Sequence, residues 1–423
     1  MVQDSLLSDE LLQHLMAVGQ VDVLVGVPTL NNATTVGGVV RAAHQAFGRY
    51  FPRDRTVLIN SDGGSEDGTP AVVRDCAVDD QDTFTVSHTL RTVHRITTPY
   101  HGVAGKGNAL RQILAAADLT QARAVVVLDA DVSSVTPEWV AALIRPLREQ
   151  QFDYVTPIYP RHPLDGPLVT QMIRPLIDAV YGWRIREPLA GEFGCSQRFV
   201  THCLEQDVWL GPLARYGIDL WVTGTAFAGG FRCCQTPLGP RRSAGHTGLS
   251  FQELFQQVVG AAFECLEEHA AFWVPRAAAE PLPMVGELPA AGEDAPAVDA
   301  GRLTQAFCTD IEQLQPVLRS ILSADTLDSL NALAHQDCER LRYPDDLWVS
   351  TVYEFLVAHH RGVMRRDHIT QALIPLYLGR TGSFLTQWAD RSPAEVDAAL
   401  ESLGLQFERS KPWLVERWGE GQR

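Results

Sequence analysis

The chain has 423 residues, with 35 lysines and arginines against 51 aspartates and glutamates, so its formal net charge is −16. Such acidity argues against nucleic acid or an anionic membrane surface as the main partner, because both repel a negative protein. Hydrophobic residues make up 45% and charged residues 20%, the balance of a folded globular protein with room for one large domain and a smaller one.

The cysteines and the N-terminal residues indicate the cellular compartment of the protein. Eight cysteines are scattered along the chain, and no two have the CxxC spacing of a zinc or redox site. This pattern predicts reduced thiols in a cytoplasmic protein. The first residues, MVQDSLLSDELLQHL, are acidic and amphipathic and do not resemble a signal peptide. No run of about 18 apolar residues predicts a membrane span.

Strand-like apolar runs alternate with amphipathic helical segments in the first part of the chain. The predicted strands are 21–30, the start of 55–69, part of 89–96, 122–132 and 152–160. The predicted helices are 5–18, 34–47, 69–75, 105–117 and 137–150. This alternation predicts right-handed βαβ crossovers and an α/β fold with a mostly parallel sheet between helices.

The later part of the chain changes character. Residues 250–272 have the pattern of an amphipathic helix, and the sequence is helical again from Arg302 onward. Between them lies a stretch rich in proline, alanine and glycine without periodicity, as in a linker. We therefore expect an α/β domain over 1–273, a linker over 274–301 and a helical domain over 302–423, which packs on the rest or forms a homodimer.

Two aspartates in the segment LDADV end the predicted strand 122–132. Asp129 and Asp131 are two residues apart, so in an extended chain both carboxylates point to one side. Paired carboxylates suit Mg²⁺ or Mn²⁺ held together with substrate phosphates. A solvated turn after a buried strand is the plainer alternative.

Lys106 and Asp62 are two further candidates for binding a ligand. Lys106 stands between two glycines at a predicted helix start, where an anion is favoured; a glycine turn with an exposed lysine is the common alternative. Asp62 follows the second predicted strand, where it could bind a ribose or base or form an Asx-type turn. In parallel sheets ligands bind beyond the carboxyl ends of the strands, which is where Asn31–Asn32, Ser61–Asp62 and Asp129–Asp131 fall.

Four segments, VPTLNNATTVGGVV, NSDGGSEDGT, GKGNAL and VLDADV, resemble in order and spacing the nucleotide-sugar glycosyltransferases of the A-type fold. IYPRHPLDGPLVTQMIRPLI, EPLAGEFGCSQRFV and YGIDLWVTGTAF resemble more narrowly the retaining glucosyl-3-phosphoglycerate synthases and mannosylglycerate synthases. The resemblance extends over residues 20–270. It implies a nucleotide-diphospho-sugar transferase fold, with a helical C-terminal region added to it.

The resemblance also implies roles for individual residues. The family usually has an acidic residue where Asn32 stands. Asp219 matches the acidic residue near the reacting centre, and with Glu192 and Lys106 it forms the implied catalytic set. The implied donor site consists of Pro28, Leu30, Asn32, Asp62, Lys106, Asp129, Leu189, Ala190 and Gly191.

The metal and acceptor sites follow from the same resemblance. Asp131 and Asp129 would bind the metal, with His246 as a further ligand; His246 is displaced from the usual family position, so an exposed loop histidine stays open. Arg241 and Arg242 could meet a phosphate. The residues matching the acceptor site are Arg161, Val169 and Thr170. Leu168 replaces a basic residue of the phosphoglycerate-using family, which favours unphosphorylated glycerate.

We therefore expect a metal-dependent glycosyltransferase that moves glucose or mannose from UDP-glucose or GDP-mannose to glycerate or 3-phosphoglycerate. Retention of configuration is implied by the resemblance alone. A polysaccharide or lipid-linked acceptor is an alternative, although the chain lacks the QxxRW motif of processive synthases. A non-catalytic nucleotide-sugar-binding protein is a third possibility, against which the presence of both Asp129 and Asp131 argues.

Overall fold

The computed structural model describes residues 7, 9–76, 82–87, 106–209, 211, 213–214, 217–243, 250–276, 278–287 and 298–419. The chain divides into two compact units. The first consists of Met1–Pro160, Arg186–Leu249 and Leu282–Pro289, and the second of Arg161–Ile185, Ser250–Pro281 and Ala290–Arg423. This division differs from the predicted one, because the chain passes between the units several times and composition does not reveal such crossings.

The first unit is built on a seven-stranded sheet in the order β3-β2-β1-β4-β7-β5-β8. Strand β7 is antiparallel to both of its neighbours, and the other neighbouring pairs are parallel. The prediction of a mostly parallel sheet is therefore confirmed. The strands are β1 Val23–Thr29, β2 Thr56–Asp62, β3 Asp82–Ser87, β4 Ala124–Val127, β5 Tyr154–Ile158, β6 Trp183–Arg184, β7 Phe193–Ser196, β8 Cys233–Pro237 and β9 Glu280–Pro281; β6 and β9 pair in the second unit.

Helices cover the sheet, and their bounds follow the predicted ones closely. The helix predicted over 69–75 is observed as Thr69–Asp75. The strand predicted within 89–96 lies outside the described residues, and β3 was not predicted. The helices of this unit are Asp9–Val18, Val36–Tyr50, Thr69–Asp75, Lys106–Leu119, Pro137–Glu149, Gln197–Leu204 and Ile218–Ala228.

Strand β1 shows why the sheet is buried. All seven residues of VLVGVPT are buried, as expected for a parallel strand covered on both faces. Its valines belong to a core cluster with the helices Val36–Tyr50 and Pro137–Glu149. Gly26 is required by a close approach, because a Cβ there would lie 2.2 Å from a methyl carbon of Ile113. This contact seats the helix Lys106–Leu119 against the sheet.

The second unit is mainly helical, which confirms the predicted helical C-terminal region. Its helices are Arg174–Tyr181, Phe251–Glu268, Ala270–Trp273, Ala300–Ile321, Ala324–Ala334, Asp345–Arg361, Arg366–Trp388 and Pro393–Gly419, with a π-helical turn at Val169–Ile173 and a 3₁₀ turn at Cys338–Arg340. Close packing of Ala300–Ile321 on Arg366–Trp388 depends on Gly379, where a Cβ would lie 2.5 Å from the Phe307 ring. Among the described residues, no helix has the length and apolarity needed to cross a membrane.

One prediction about the cysteines is wrong. Cys308 and Cys338 are joined by a disulfide, whereas the other six cysteines are free thiols. The two partners are 30 residues apart and come together only because the helix Ala300–Ile321 packs beside the turn Cys338–Arg340. Sequence spacing carries no sign of this contact, which explains the error.

Candidate active site

A partly buried lysine joins two carboxylates at the carboxyl edge of the sheet. Lys106 opens its helix, Asp129 lies in the turn after β4, and Asp219 lies in the first turn of the helix Ile218–Ala228. The Lys106 Nζ is 2.8 Å from Asp129 Oδ1 and 2.7 Å from Asp219 Oδ2. Three segments far apart in sequence thus meet at one ammonium group.

The glycine after Lys106 makes this meeting possible. A Cβ at Gly107 would lie 2.0 Å from the carbonyl oxygen of Ala214, so the helix start and the segment before Asp219 approach more closely than any side chain allows. This close approach explains why a glycine follows Lys106 in the GKG segment.

An arginine organises the other side of the site. Arg241 follows β8, and its Nε lies 3.2 Å from Glu192 Oε1 while its Nη2 lies 3.3 Å from Asp129 Oδ2. The same Nη2 is 3.7 Å from Asp131 Oδ1. Asp129 and Asp131 therefore both lie near the Arg241 guanidinium group. They lie in a turn and not in the predicted extended strand, because β4 ends at Val127.

Two hydroxyl groups complete the network. The Tyr159 hydroxyl donates to Glu192 Oε2 at 2.7 Å, and the Ser243 hydroxyl donates to an oxygen of Asp131. Neither was singled out from the sequence. Tyr159 follows β5 at the carboxyl edge of the sheet, so the position was a usable signal, whereas the pairing of Ser243 depends on its bridge to Val132.

The carboxylates differ sharply in exposure. The Glu192 side chain is fully buried, the Asp219 side chain is 23% exposed, and the Asp131 side chain is 36% exposed. One oxygen of Asp219, Oδ1, is buried without a hydrogen-bond partner among the described residues. Asp131 is thus the carboxylate most open to a ligand, and Asp219 has an unused acceptor.

Burial and mutual charge shift the pKa of most of these groups. Burial would lower the pKa of Lys106, but Asp129 and then Asp219 outweigh it and raise the pKa above its ordinary value. Burial raises the pKa of Glu192 to about 7, with a further contribution from Asp129. Burial also raises the pKa of Asp219 to about 6, against the attraction of Lys106.

The charges of the cluster do not balance. Four carboxyl groups face the two cations Lys106 and Arg241, so with every group ionised the cluster carries two excess negative charges. Buried charges are normally paired, and an unbalanced acidic site is stabilised by a bound cation.

The backbone of the segment 189–191 passes directly beside Asp129. A Cβ at Gly191 would lie 1.9 Å from Asp129 Oδ2, so this position excludes every side chain. Leu189 is half-buried and Ala190 is buried just before β7. The predicted donor-contacting backbone therefore lies at the same cluster.

The loops after β1 and β2 hold each other by side-chain hydrogen bonds. Asp62 is 2% exposed, and its Oδ1 accepts from Thr29 Oγ1 at 2.9 Å and from Ser65 Oγ at 2.6 Å. Its Oδ2 accepts from the backbone N–H groups of Gly64 and Ser65 at 3.0 and 2.9 Å. The structure thus shows the Asx-type turn that the sequence left as an alternative, with Asp62 shaping the loop.

Asn32 has a similar local role. Its Oδ1 accepts from the N–H of Leu30 at 2.7 Å, and its own N–H donates to Thr69 Oγ1 at 2.8 Å. Pro28 is buried in β1, while Leu30 and Asn32 are partly exposed beyond the strand. Leu30 and Asn32 therefore lie beside the loop that follows β2.

Residues 24–200 match the sequence profile described as Glycosyl transferase family 2. The chain carries a glycosyltransferase domain. This match confirms the predicted enzyme class, and the mostly parallel sheet agrees with the predicted A-type fold. No match was found among curated proteins.

Two solved structures similar to the glycosyltransferase are complexes of glucosyl-3-phosphoglycerate synthase from Mycobacterium tuberculosis. The complex with Mg²⁺ and uridine diphosphate is 23% identical, covering 60% of this chain and 83% of that chain with a TM-score of 0.43. The complex with Mn²⁺, UDP-glucose and phosphoglyceric acid is 21% identical, covering 61% and 84% with a TM-score of 0.45. The sequence motifs resemble those of the same enzymes.

Four predicted site residues fall outside the described part of the first unit. Arg161, Val169 and Thr170 belong to the second unit, the latter two in the π-helical turn. His246 lies outside the described residues. Within the part of the chain that the structure describes, no group of three or more histidine, cysteine or acidic side chains has the arrangement of a metal site. Arg242 contributes backbone contacts, donating its N–H to Ser134 Oγ at 2.9 Å.

Proposed function

We propose that this glycosyltransferase transfers glucose or mannose from a nucleotide diphosphate sugar to glycerate or 3-phosphoglycerate, with retention and with Mg²⁺ or Mn²⁺. The anomeric carbon exchanges its bond to a diphosphate oxygen for a bond to an acceptor oxygen, and the proton of the acceptor hydroxyl passes to the departing diphosphate or to water. The observation that carries the proposal is the cluster in which Lys106 and Arg241 bind Asp129 beside the backbone of Gly191. The motif resemblance supplies the sugars and acceptors.

The described residues offer one exposed carboxylate to a divalent cation. Asp131 presents an exposed carboxylate, which is the hard oxygen ligand that Mg²⁺ and Mn²⁺ take together with substrate phosphates and water. With every carboxyl group ionised, the two excess negative charges of the cluster are the charge that such an ion balances. Asp131 would hold the ion, with His246 as a further candidate, while Asp129 is already engaged by Lys106 and Arg241. When bound, the ion offsets charge on the diphosphate.

The cationic side chains have a clear task in this reaction. Charge develops on the diphosphate as the sugar leaves, and preorganised cations stabilise it at no cost in reorganisation. Lys106 and Arg241 are held in place by carboxylates before any ligand arrives. They would orient the donor and stabilise the leaving group.

The two acidic residues of the predicted catalytic set would act differently from each other. Asp219 has a buried oxygen without a partner among the described residues, so it can accept a hydrogen bond from the sugar or the acceptor hydroxyl. Glu192 is fully buried behind Arg241 and bonded to Tyr159, so we assign it to positioning Arg241 rather than to substrate contact. This differs from the direct role expected from the sequence.

The test is an activity matrix of donors and acceptors, with and without EDTA. The donors are UDP-glucose and GDP-mannose, and the acceptors are glycerate and 3-phosphoglycerate. We expect turnover for one donor and at least one of these acceptors, abolished by EDTA, with the product retaining the anomeric configuration by NMR. An inverted product, or turnover with a lipid-linked or polysaccharide acceptor alone, would reject the proposed reaction.

The variant Asp131→Ala tests the assignment of Asp131 as a metal ligand separately from the donor and the acceptor. We expect it to lose turnover and the binding of Mn²⁺ in the presence of UDP, measured by electron paramagnetic resonance, while its melting temperature stays close to that of the wild type. The exposed Glu66, in the loop after β2, serves as the control through Glu66→Ala. Wild-type Mn²⁺ binding in Asp131→Ala would remove this ligand from the proposal.

A further inference from the structure

The second unit contains a surface cavity of about 650 Å³ that the proposed reaction does not use. It is lined from the start of the helix Asp345–Arg361, the end of the helix Arg366–Trp388 and the first half of the helix Pro393–Gly419. Cavities of roughly 300–1,000 Å³ are the usual size of small-molecule sites.

The cavity has one aromatic wall. Phe384 and Trp388 lie one helical turn apart, with ring centroids 6.0 Å apart. Trp388 is partly exposed, and its indole N–H donates to no described residue. A flat ring with a free donor at its edge can stack on a ligand and hydrogen-bond to it.

A buried arginine supplies a second, independent sign of a ligand. Arg380 is 3% exposed and lines the cavity. Its Nη1 donates to the Tyr343 carbonyl at 2.6 Å, and its Nη2 lies 2.7 Å from Asp345 Oδ1. Its Nε is buried and has no acceptor among the residues that the structure describes. A buried donor without a partner is unfavourable, so an acceptor from a bound molecule would complete it.

The polar side chains that line the cavity form its polar wall, and their charges indicate the kind of ligand. Arg342 and Arg380 are matched by Asp345 and Glu395, so the wall carries no excess charge. Gln387 and Ser402 add neutral donors and acceptors. A balanced wall favours a neutral ligand rich in hydroxyl groups over a phosphate or carboxylate, because each hydroxyl both donates and accepts.

We propose that this cavity binds a neutral hexopyranose unit, as a glycoside or the end of an oligosaccharide. A pyranose ring presents an apolar C–H face to Trp388 and a rim of hydroxyls to Arg380 and Gln387. The proposal does not rest on the proposed reaction, since binding is measured without turnover.

The test uses the full chain and saturation-transfer NMR with methyl α-D-glucopyranoside, methyl α-D-mannopyranoside and maltose. We expect millimolar binding of at least one probe, weakened about tenfold in Trp388→Ala through loss of stacking. Gln387→Ala, at an exposed position, should weaken binding about threefold without changing the melting temperature. Trp413→Ala, at a half-buried tryptophan of the same unit outside the cavity, should leave binding unchanged.

Several outcomes would overturn the proposal. They are no binding of any probe, binding that both Trp388→Ala and Gln387→Ala leave unchanged, or binding of inorganic phosphate at this cavity in place of the glycosides. Loss of binding in Asp129→Asn together with full binding in Trp388→Ala would place the sugar in the first unit and would also reject it.

Discussion

The protein has two lysines, and the structure places one in each unit. Burial by itself lowers the pKa of both. In the first unit Asp129 and Asp219 outweigh burial and raise the pKa of Lys106 above its ordinary value. In the second unit Lys411 donates to the carbonyl of Val180 at 2.7 Å, and burial, assisted by Arg276, lowers its pKa to about 8.

The difference separates two uses of a buried charge. Lys411 completes one backbone hydrogen bond of a helical unit. Lys106 belongs to a network in which carboxylates outnumber cations, which is unfavourable unless another positive charge binds. The candidate active site is therefore distinguished by a cluster in which carboxylates outnumber cations, and not by the burial of a charge alone.

Lys106→Met tests this distinction most strongly. It leaves Asp129 and Asp219 without their shared cation, so we expect kcat/KM to fall about 10³-fold. The free energy of unfolding should fall by about 3 kcal/mol, because a broken buried pair leaves charges uncompensated. Steady-state kinetics and urea unfolding at pH 7 measure both quantities.

Lys411→Met is the matched control for Lys106→Met. It removes one hydrogen bond to a backbone carbonyl, so we expect unchanged kcat/KM and a stability change of about 1 kcal/mol. Equal losses of turnover in the two variants would break the comparison between the units.

Glu354→Ala tests whether buried charges of the second unit serve the fold alone. Glu354 accepts from the N–H and hydroxyl of Ser323 at 2.6 and 2.9 Å and from the Thr326 hydroxyl at 2.7 Å, at the start of the helix Ala324–Ala334. Losing these bonds should lower the free energy of unfolding by about 3 kcal/mol. Kinetics of the folded variant should match the wild type, and Glu354→Gln should lose less stability.

Gly191→Ala tests the close approach of backbone to Asp129. The added methyl group would displace the Asp129 carboxylate, so kcat/KM should fall about 10²-fold. Gly38→Ala is the control, because a Cβ at this exposed helical position meets nothing within 4 Å. That variant should keep its activity and gain about 0.5–1 kcal/mol of stability. Wild-type activity in Gly191→Ala would show that Asp129 has room to move.

The last expected effect is the pH dependence of stability contributed by Lys411. Its pKa is about 8 in the folded protein against 10.5 for the unperturbed side chain, so between these values the unfolded state binds the extra proton. Stability from this group therefore rises with pH across that window and is lost as pH falls through 8. The stability difference between wild type and Lys411→Met should shift in favour of wild type by about 1–2 kcal/mol between pH 8 and 9.5. A constant difference would contradict this.

Much of the first unit could be predicted from local patterns. Apolar runs such as VLVGVPT and the alternation of strands with helices depend on neighbours a few residues apart. The parallel sheet and the helix Thr69–Asp75 could therefore be predicted from the sequence. The placement of Asp62, Asp129 and Asp131 at the sheet's carboxyl edge followed from the same pattern. The disulfide between Cys308 and Cys338 did not, because it joins segments with no shared periodicity.

The sequence by itself determined the type of sheet, the edge where polar residues gather and the identity of the charged groups. Tertiary structure alone decided their partners: that Arg241 binds Glu192 and Asp129, that Tyr159 holds Glu192, and that Asp62 shapes a loop. The reason is physical. Periodicity reports which face of an element is buried, whereas a hydrogen bond or ion pair depends on ångström-scale distances between elements, which packing fixes only after the chain has folded.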